Sequence, residues 1–398
     1  MSLLDAFYRT HAYLVEHIRP TVRRRLMDEI DWNDRLIGIK GTRGVGKTTF
    51  LLQYAKEHFN LNDRQCLYIN MNNFYFQGRG ISTFAGEFVK QGGHVLLIDQ
   101  VFKEPNWSQE LRKCYDLYPT LKIVFTGSSV MRLKEENPEL NNIVKSYNLR
   151  GFSFREFINL KTGLNLQPYN LQQIIQNHES IQREILSQVS PKQYFQDYLH
   201  HGFYPFFQEQ RNYSENLLKT MNMITEVDIL LIKEIELKYL TKIKKLFYLL
   251  ACNTSKAPNI STLAKEIQTS RATVIKYIKY LADARLINIL YNDNNNPNRK
   301  PAKVVLHNTN LMYAIYPIQV QQQQVMETFL INALWDKNTI NCSKKQHTYT
   351  INGTKQIIVY DALAERQPEI QSENIYARYN TEIGRNNQIP LWILGFLY

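Results

Sequence analysis

Two short stretches of this 398-residue chain hold residue types that can grip a polyphosphate and a divalent cation. The first is Gly41-Thr42-Arg43-Gly44-Val45-Gly46-Lys47-Thr48, which fits the pattern G-x-x-x-x-G-K-[ST]. Gly41, Gly44 and Gly46 are expected to let the backbone take positive φ and approach a ligand closely. The freed amides then converge as an anion nest at a helix N-terminus. Lys47 would reach β- and γ-phosphates, and the Thr48 hydroxyl would sit on Mg²⁺. Thr42, Arg43, Val45 and Thr49 complete the contact segment. The second stretch is Val95-Leu96-Leu97-Ile98-Asp99, four apolar residues ending in a carboxylate placed to hold the same metal through water. Gln100 follows; its amide can orient a water but cannot take a proton at neutral pH. Glu104 and Glu110 are the nearby acids that could substitute as base.

These residues need elements to position them. Leu36 to Lys40 reads as a short buried strand entering the glycine turn, and Thr49 to His58 as the helix leaving it. Strand signals at 36–40, 66–70, 95–98, 121–125 and 147–149 alternate with helical ones. Residues 36–165 therefore read as an α/β domain, a P-loop-type three-layer αβα parallel sheet. The fourth strand ends in Thr126-Gly127-Ser128-Ser129, where Thr126 and Ser128 either sense a γ-phosphate or cap the next helix. Residues 1–35 form a helical lead-in whose Arg19-Pro20 and Arg23-Arg24-Arg25 either bear on the nucleotide or form a solvated face, the solvated face being favoured.

Residues 166–250 show helical periodicity, interrupted at His201 to Phe207 by an aromatic packing corner. Residues 251–305 read as a winged helix-turn-helix. A short helix spans 260–267 with Ser261 near its cap, and a turn spans 268–270. A longer helix from Arg271 to Ala284 carries Val274, Ile278 and Leu281 on one face. Strands at 285–290 and 303–306, joined by an Asn-rich turn at 292–298, would make the wing. Arg271, Thr273, Lys276 and Lys279 could meet double-stranded DNA, or the module could serve packing alone. Residues 306–398 read as a small α/β piece, with Gln321 to Gln324 as a linker and strands at 357–360 and 392–397. The net charge of +12 favours a polyanionic partner but also fits a basic soluble enzyme. Cys66, Cys114, Cys252 and Cys342 are too scattered for a metal knuckle or a disulfide framework, so a cytoplasmic setting is expected. The N-terminus lacks signal-peptide character, and no apolar run is long enough to span a membrane.

Several stretches taken together resemble one family. They are the glycine loop, Leu97-Ile98-Asp99-Gln100 followed by Pro105-Asn106-Trp107, Phe125-Thr126-Gly127-Ser128-Ser129, and Gly151-Phe152-Ser153-Phe154-Arg155-Glu156-Phe157. They are similar to the bacterial and archaeal AAA-type ATPases that carry a conserved C-terminal domain of unknown function. The likeness extends through Gly202-Phe203-Tyr204-Pro205, the winged helix and Asn308-Thr309-Asn310-Leu311.

This resemblance implies an AAA+-like domain using ATP and Mg²⁺, a winged helix, and a C-terminal domain resembling PD-(D/E)XK nucleases. It also implies that Arg155 contacts nucleotide or acts between subunits of a homo-oligomer, with a structural salt bridge as the competing role. The family usually has Glu where this chain has Gln100, so ATP binding with weak turnover is expected. Two origins stay open for Gln100, a native residue or a deliberate trap substitution. In the nuclease-like part Glu327 could supply one acid. Asp361-Ala362-Leu363-Ala364-Glu365 lacks the family Lys, and the upstream Asp is replaced around His347-Thr348, so no nuclease activity is expected. The rival functions are a DNA-binding regulator in which nucleotide is structural, and a protein-interaction scaffold.

Overall fold

Four largely apolar stretches and one polar, mostly exposed edge strand pair into one sheet in the order β2-β3-β4-β1-β5. The strands are β1 Leu36–Gly41, β2 Cys66–Asn70, β3 Val95–Asp99, β4 Lys122–Ser128 and β5 Lys145–Asn148. All four pairings are parallel. β3 is buried at every position, as a central strand covered on both faces must be. The computed structural model describes residues 3–20, 22–209, 212–292, 300–365 and 367–398. It divides into two compact units, Met1–Gly151 and Phe152–Tyr398. The segment 152–165, grouped with the sheet domain in the sequence reading, is thus counted with the second unit.

In the first unit the helices Lys47–His58, Ile81–Lys90 and Trp107–Leu117 link successive strands. The N-terminal helix Leu3–His17 lies along β2, an edge strand whose free amides would otherwise invite pairing. Tyr68 N in β2 donates to His11 Nδ1 at 3.0 Å, and Tyr8 Oη donates to the Arg64 carbonyl. Burial drives the His11 pKa down to about 4, so the ring stays a neutral acceptor.

The second unit is built on a mixed sheet ordered β12-β11-β10-β9-β8-β6-β7. Its strands are β6 Ile287–Asn292, β7 Lys303–Leu306, β8 Ile340–Cys342, β9 Thr348–Ile351, β10 Lys355–Asp361, β11 Ile375–Tyr379 and β12 Gln388–Pro390. The β6–β7 hairpin, expected as a separate wing, is continuous with the C-terminal sheet through parallel pairing of Tyr291 with Asn341. Of the expected Asn-rich turn only Asn292, the end of β6, lies within the described residues. Two π-helical turns, Tyr198–Gly202 and Ile224–Ile229, interrupt the helical region. The first is stabilised from outside: buried Asn310 donates to the carbonyls of Tyr198 and Leu199 and accepts from Phe203 N. This accounts for the buried aromatic corner, where Phe203 and Tyr204 are almost fully enclosed.

Three expectations fail here. Leu391–Phe396 is a 3-10 helix, not a strand. An unbroken apolar run has no twofold alternation to declare a strand, and Pro390 precedes it. Gly395 lies so close to Phe154 that an added Cβ would meet Phe154 Cβ at 2.4 Å. Gln321 to Gln324 is no linker but the start of the helix Gln322–Leu334. Gln323 donates to Glu327 Oε1 and the Val359 carbonyl, and Gln324 to the Thr254 carbonyl. The cap of the helix Ile260–Glu266 is Asn259, whose side chain accepts from Thr262 N, not Ser261.

Candidate nucleotide-binding site

β1 runs directly into the glycine loop, and the helix Lys47–His58 leaves it. Gly46 caps that helix in a left-handed conformation (φ 94°) with no side-chain hydrogen bond, so its first amides turn toward the loop's mouth. Gly44 also has positive φ, 81°. Gly41 does not. It ends β1, and its requirement is space: an added Cβ would stand 2.5 Å from the Leu149 carbonyl oxygen. Lys47 Nζ spans the carbonyls of Gly41 and Thr42 at 2.7 and 2.9 Å, which holds the ammonium over the loop. Thr42 and Val45 are buried, Arg43 is half-buried, and Gly44, Thr48 and Thr49 face solvent.

Because β4 lies between β1 and β3, the glycine loop and Asp99 flank the end of one small-residue strand. Asp99 is 1% exposed. Burying a carboxylate is costly unless donors surround it, and four residues do so. Thr48 Oγ1 donates to Oδ2 at 2.7 Å and Tyr68 Oη to Oδ2 at 2.9 Å, with Asn70 Nδ2 at 3.4 Å. Thr126 Oγ1 donates to Oδ1 and accepts from Gln100 N at 2.9 Å. Burial first, and then the Asp99 carboxylate, pushes the Tyr68 phenol far up, so it remains a donor. Gln100 itself is held at φ 58°, an uncommon conformation for a side chain without special need of it.

Sequence reasoning missed Tyr68 and Asn70. The available signal was twofold spacing on a strand ending at the same edge, where Asn70 is in register with Asp99. It also misjudged Arg24. Arg23 and Arg25 pair with Asp28, Glu57 and Glu29 near the surface. Arg24 turns inward, 7% exposed, and binds the carbonyls of Val45, Arg150 and Gly151. Glu110 is corrected as a candidate base, since it accepts from Ser82 N and Oγ and from Lys113, closing the start of the helix Ile81–Lys90. Burial raises the Glu104 pKa. Ser128 is buried in register with Gly41. Arg155 is held by carbonyls, with an acid nearby. It is buried in the second unit, where Nε donates to the Tyr398 carbonyl and a guanidinium nitrogen to that of Leu166, with Glu156 3.8 Å away.

Residues 33–158 match the family described as AAA domain. This region is an AAA-type P-loop ATPase domain. Residues 192–322, beyond the AAA domain, match a domain of unknown function, DUF8612. An uncharacterized protein of Methanocaldococcus jannaschii is 26% identical over 286 residues, 68% of this chain, and the chain spans 60% of that relative's length. Similar solved structures include the Aeropyrum pernix Orc1 protein in complex with DNA, at 11% identity and TM-score 0.31, covering 80% of this chain and 93% of that one. Thermotoga maritima RuvB is 15% identical at TM-score 0.28, covering 80% and 95%.

Outside the AAA domain lie Glu327 and the helix Arg271–Asp283, the other places where the sequence offered candidate residues. Glu327, 1% exposed, receives His347 Nδ1 at 2.6 Å and Lys303 Nζ at 3.0 Å, and Lys303 also reaches Tyr349 Oη at 2.9 Å. Asp361 accepts from Asn380 Nδ2 at 2.9 and 3.1 Å. Burial pushes the Glu327 carboxyl up, but His347 and then Lys303 outweigh it and hold the pKa at about 2. The shift from 4.5 corresponds to about 3 kcal/mol of stability, present above pH 4.5 and lost as pH falls toward 2. Lys303→Ala removes one of the two groups that hold the buried carboxylate, leaves His347 in place, and is expected to cost about 2 kcal/mol at pH 7. Urea melts of variant and parent should converge progressively as pH falls from 4.5 toward 2; a loss under about 1 kcal/mol at neutral pH would show the cluster to be idle. On the helix Arg271–Asp283, Val274, Tyr277, Ile278 and Leu281 point inward while Arg271, Lys276 and Lys279 are exposed. The Thr273 hydroxyl is tied to the capping Ser270, 2.9 Å away.

Proposed function

We propose that the chain binds ATP with Mg²⁺ in the glycine loop and acts as a nucleotide-dependent switch with slow turnover. The observation that carries this is the 2.7 Å hydrogen bond between Thr48 Oγ1 and Asp99 Oδ2, which joins loop and carboxylate at one sheet edge. A hydroxyl and a carboxylate are hard oxygen donors, the set Mg²⁺ takes beside phosphate oxygens and water. The bound metal would neutralise phosphate charge. Lys47 would move from its own loop carbonyls to the phosphates, and the loop amides would bind and orient them. Tyr68, Asn70 and Thr126 would keep Asp99 in place, and Gln100 would align water without accepting its proton. Titration calorimetry of the full chain with ATP, with and without Mg²⁺, tests this; no magnesium-dependent heat of binding ends the proposal.

A second reading is favoured by the three exposed cations on the helix Arg271–Asp283, taken as the recognition helix of a winged fold. Here the chain contacts double-stranded DNA in the cytoplasm, alone or as a homo-oligomer, and does not cut it, because Lys303 and His347 already compensate Glu327. Duplex affinity should fall steeply with salt. Lys276→Glu with Lys279→Glu should weaken binding and flatten the log–log salt slope by about two. A slope unchanged by the double variant argues against this helix.

A further inference from the structure

We infer that Arg24 is a positioning residue for the phosphate nest, acting through the Val45–Gly46 peptide; this rests on the nucleotide reading above. The guanidinium is buried and donates to Val45 O at 3.1 Å, Arg150 O at 2.7 Å and Gly151 O at 3.1 Å. A trans peptide points its C=O and N–H in opposite directions. Fixing the Val45 carbonyl toward Arg24 therefore aims the Gly46 amide the other way, into the concave side of the loop. The two further carbonyls keep the guanidinium from following the loop. They belong to a segment that already packs on the loop's base: Leu149 N donates to Lys40 O at 2.7 Å, and Leu149 O leaves room at Gly41 for hydrogen alone. A permanent cation behind the Val45 carbonyl also polarises that peptide, making its N–H a stronger donor. Gly46, at φ 94°, has no side chain to hold this orientation, and the peptide would otherwise be free to rotate.

The test uses the full chain with Arg24→Ala and Arg24→Lys. Affinity for MgATP and for inorganic tripolyphosphate is measured by calorimetry, and folding by circular dichroism. Both variants should weaken both ligands by about tenfold or more, which is 1.4 kcal/mol or more, because Arg24 reaches Val45 O from one nitrogen and Arg150 O and Gly151 O from the other, a planar fork that a lysine's single nitrogen does not reproduce. Millimolar guanidinium should restore binding to Arg24→Ala, while equal sodium chloride should not. A purely structural arginine would change the circular dichroism spectrum on its loss and again on rescue, whereas here the spectrum should stay at the parent's throughout. A folded variant that binds both ligands as tightly as the parent overturns the inference. Should Arg24→Ala not fold, Arg24→Lys decides by the same comparison. If the parent itself takes up neither ligand, the nucleotide reading fails, and this inference falls with it.

Discussion

Gln100→Glu should raise ATP turnover by about 10²-fold or more, the usual worth of a positioned general base. The backbone there is already fixed. Gln100 N is bound by Thr126 Oγ1, which also donates to Asp99, so the substitution changes the terminal group and leaves its platform intact. Phosphate release at saturating MgATP is the measurement, with affinity determined alongside. If binding persists and turnover stays at the parent's level, the lack of a base at position 100 is not what limits hydrolysis.

Lys47→Ala should weaken MgATP by about 10²-fold, roughly 3 kcal/mol, the scale of charge-assisted hydrogen bonds lost to a polyphosphate. Thermal stability should change little. The lysine is half-buried, and its partners are two carbonyls of its own loop rather than a distant element. Calorimetry and a melting curve separate the two effects. Unchanged affinity in a folded variant would remove the ammonium from the site and the nucleotide from the loop.

Much of the site was legible because its parts are local. A glycine loop between strand and helix, and an apolar strand ending in Asp, each declare themselves within ten residues or so. The donors around Asp99 did not, because Tyr68 and Thr126 come from separate strands whose order no single segment encodes. Arg24 sits in a run of three arginines that reads as solvated. Which of the three turns inward depends on where residues 150 and 151 lie. The run Leu391–Phe396 misled for the opposite reason, since complete burial erases the periodicity that distinguishes helix from strand. Lys303 shows the same limit: the family lysine is missing after Asp361, yet another strand brings an ammonium to Glu327.

The chain's own order of residues determined the phosphate loop, the acidic strand end and the absence of a carboxylate at position 100, because each depends on neighbours in sequence. Tertiary structure alone decided which side chains keep Asp99 in the interior, that Arg155 meets the Tyr398 carbonyl, and that Arg24 stands behind the loop. Those outcomes depend on desolvation, and a buried group takes whatever partner the packing of distant strands delivers.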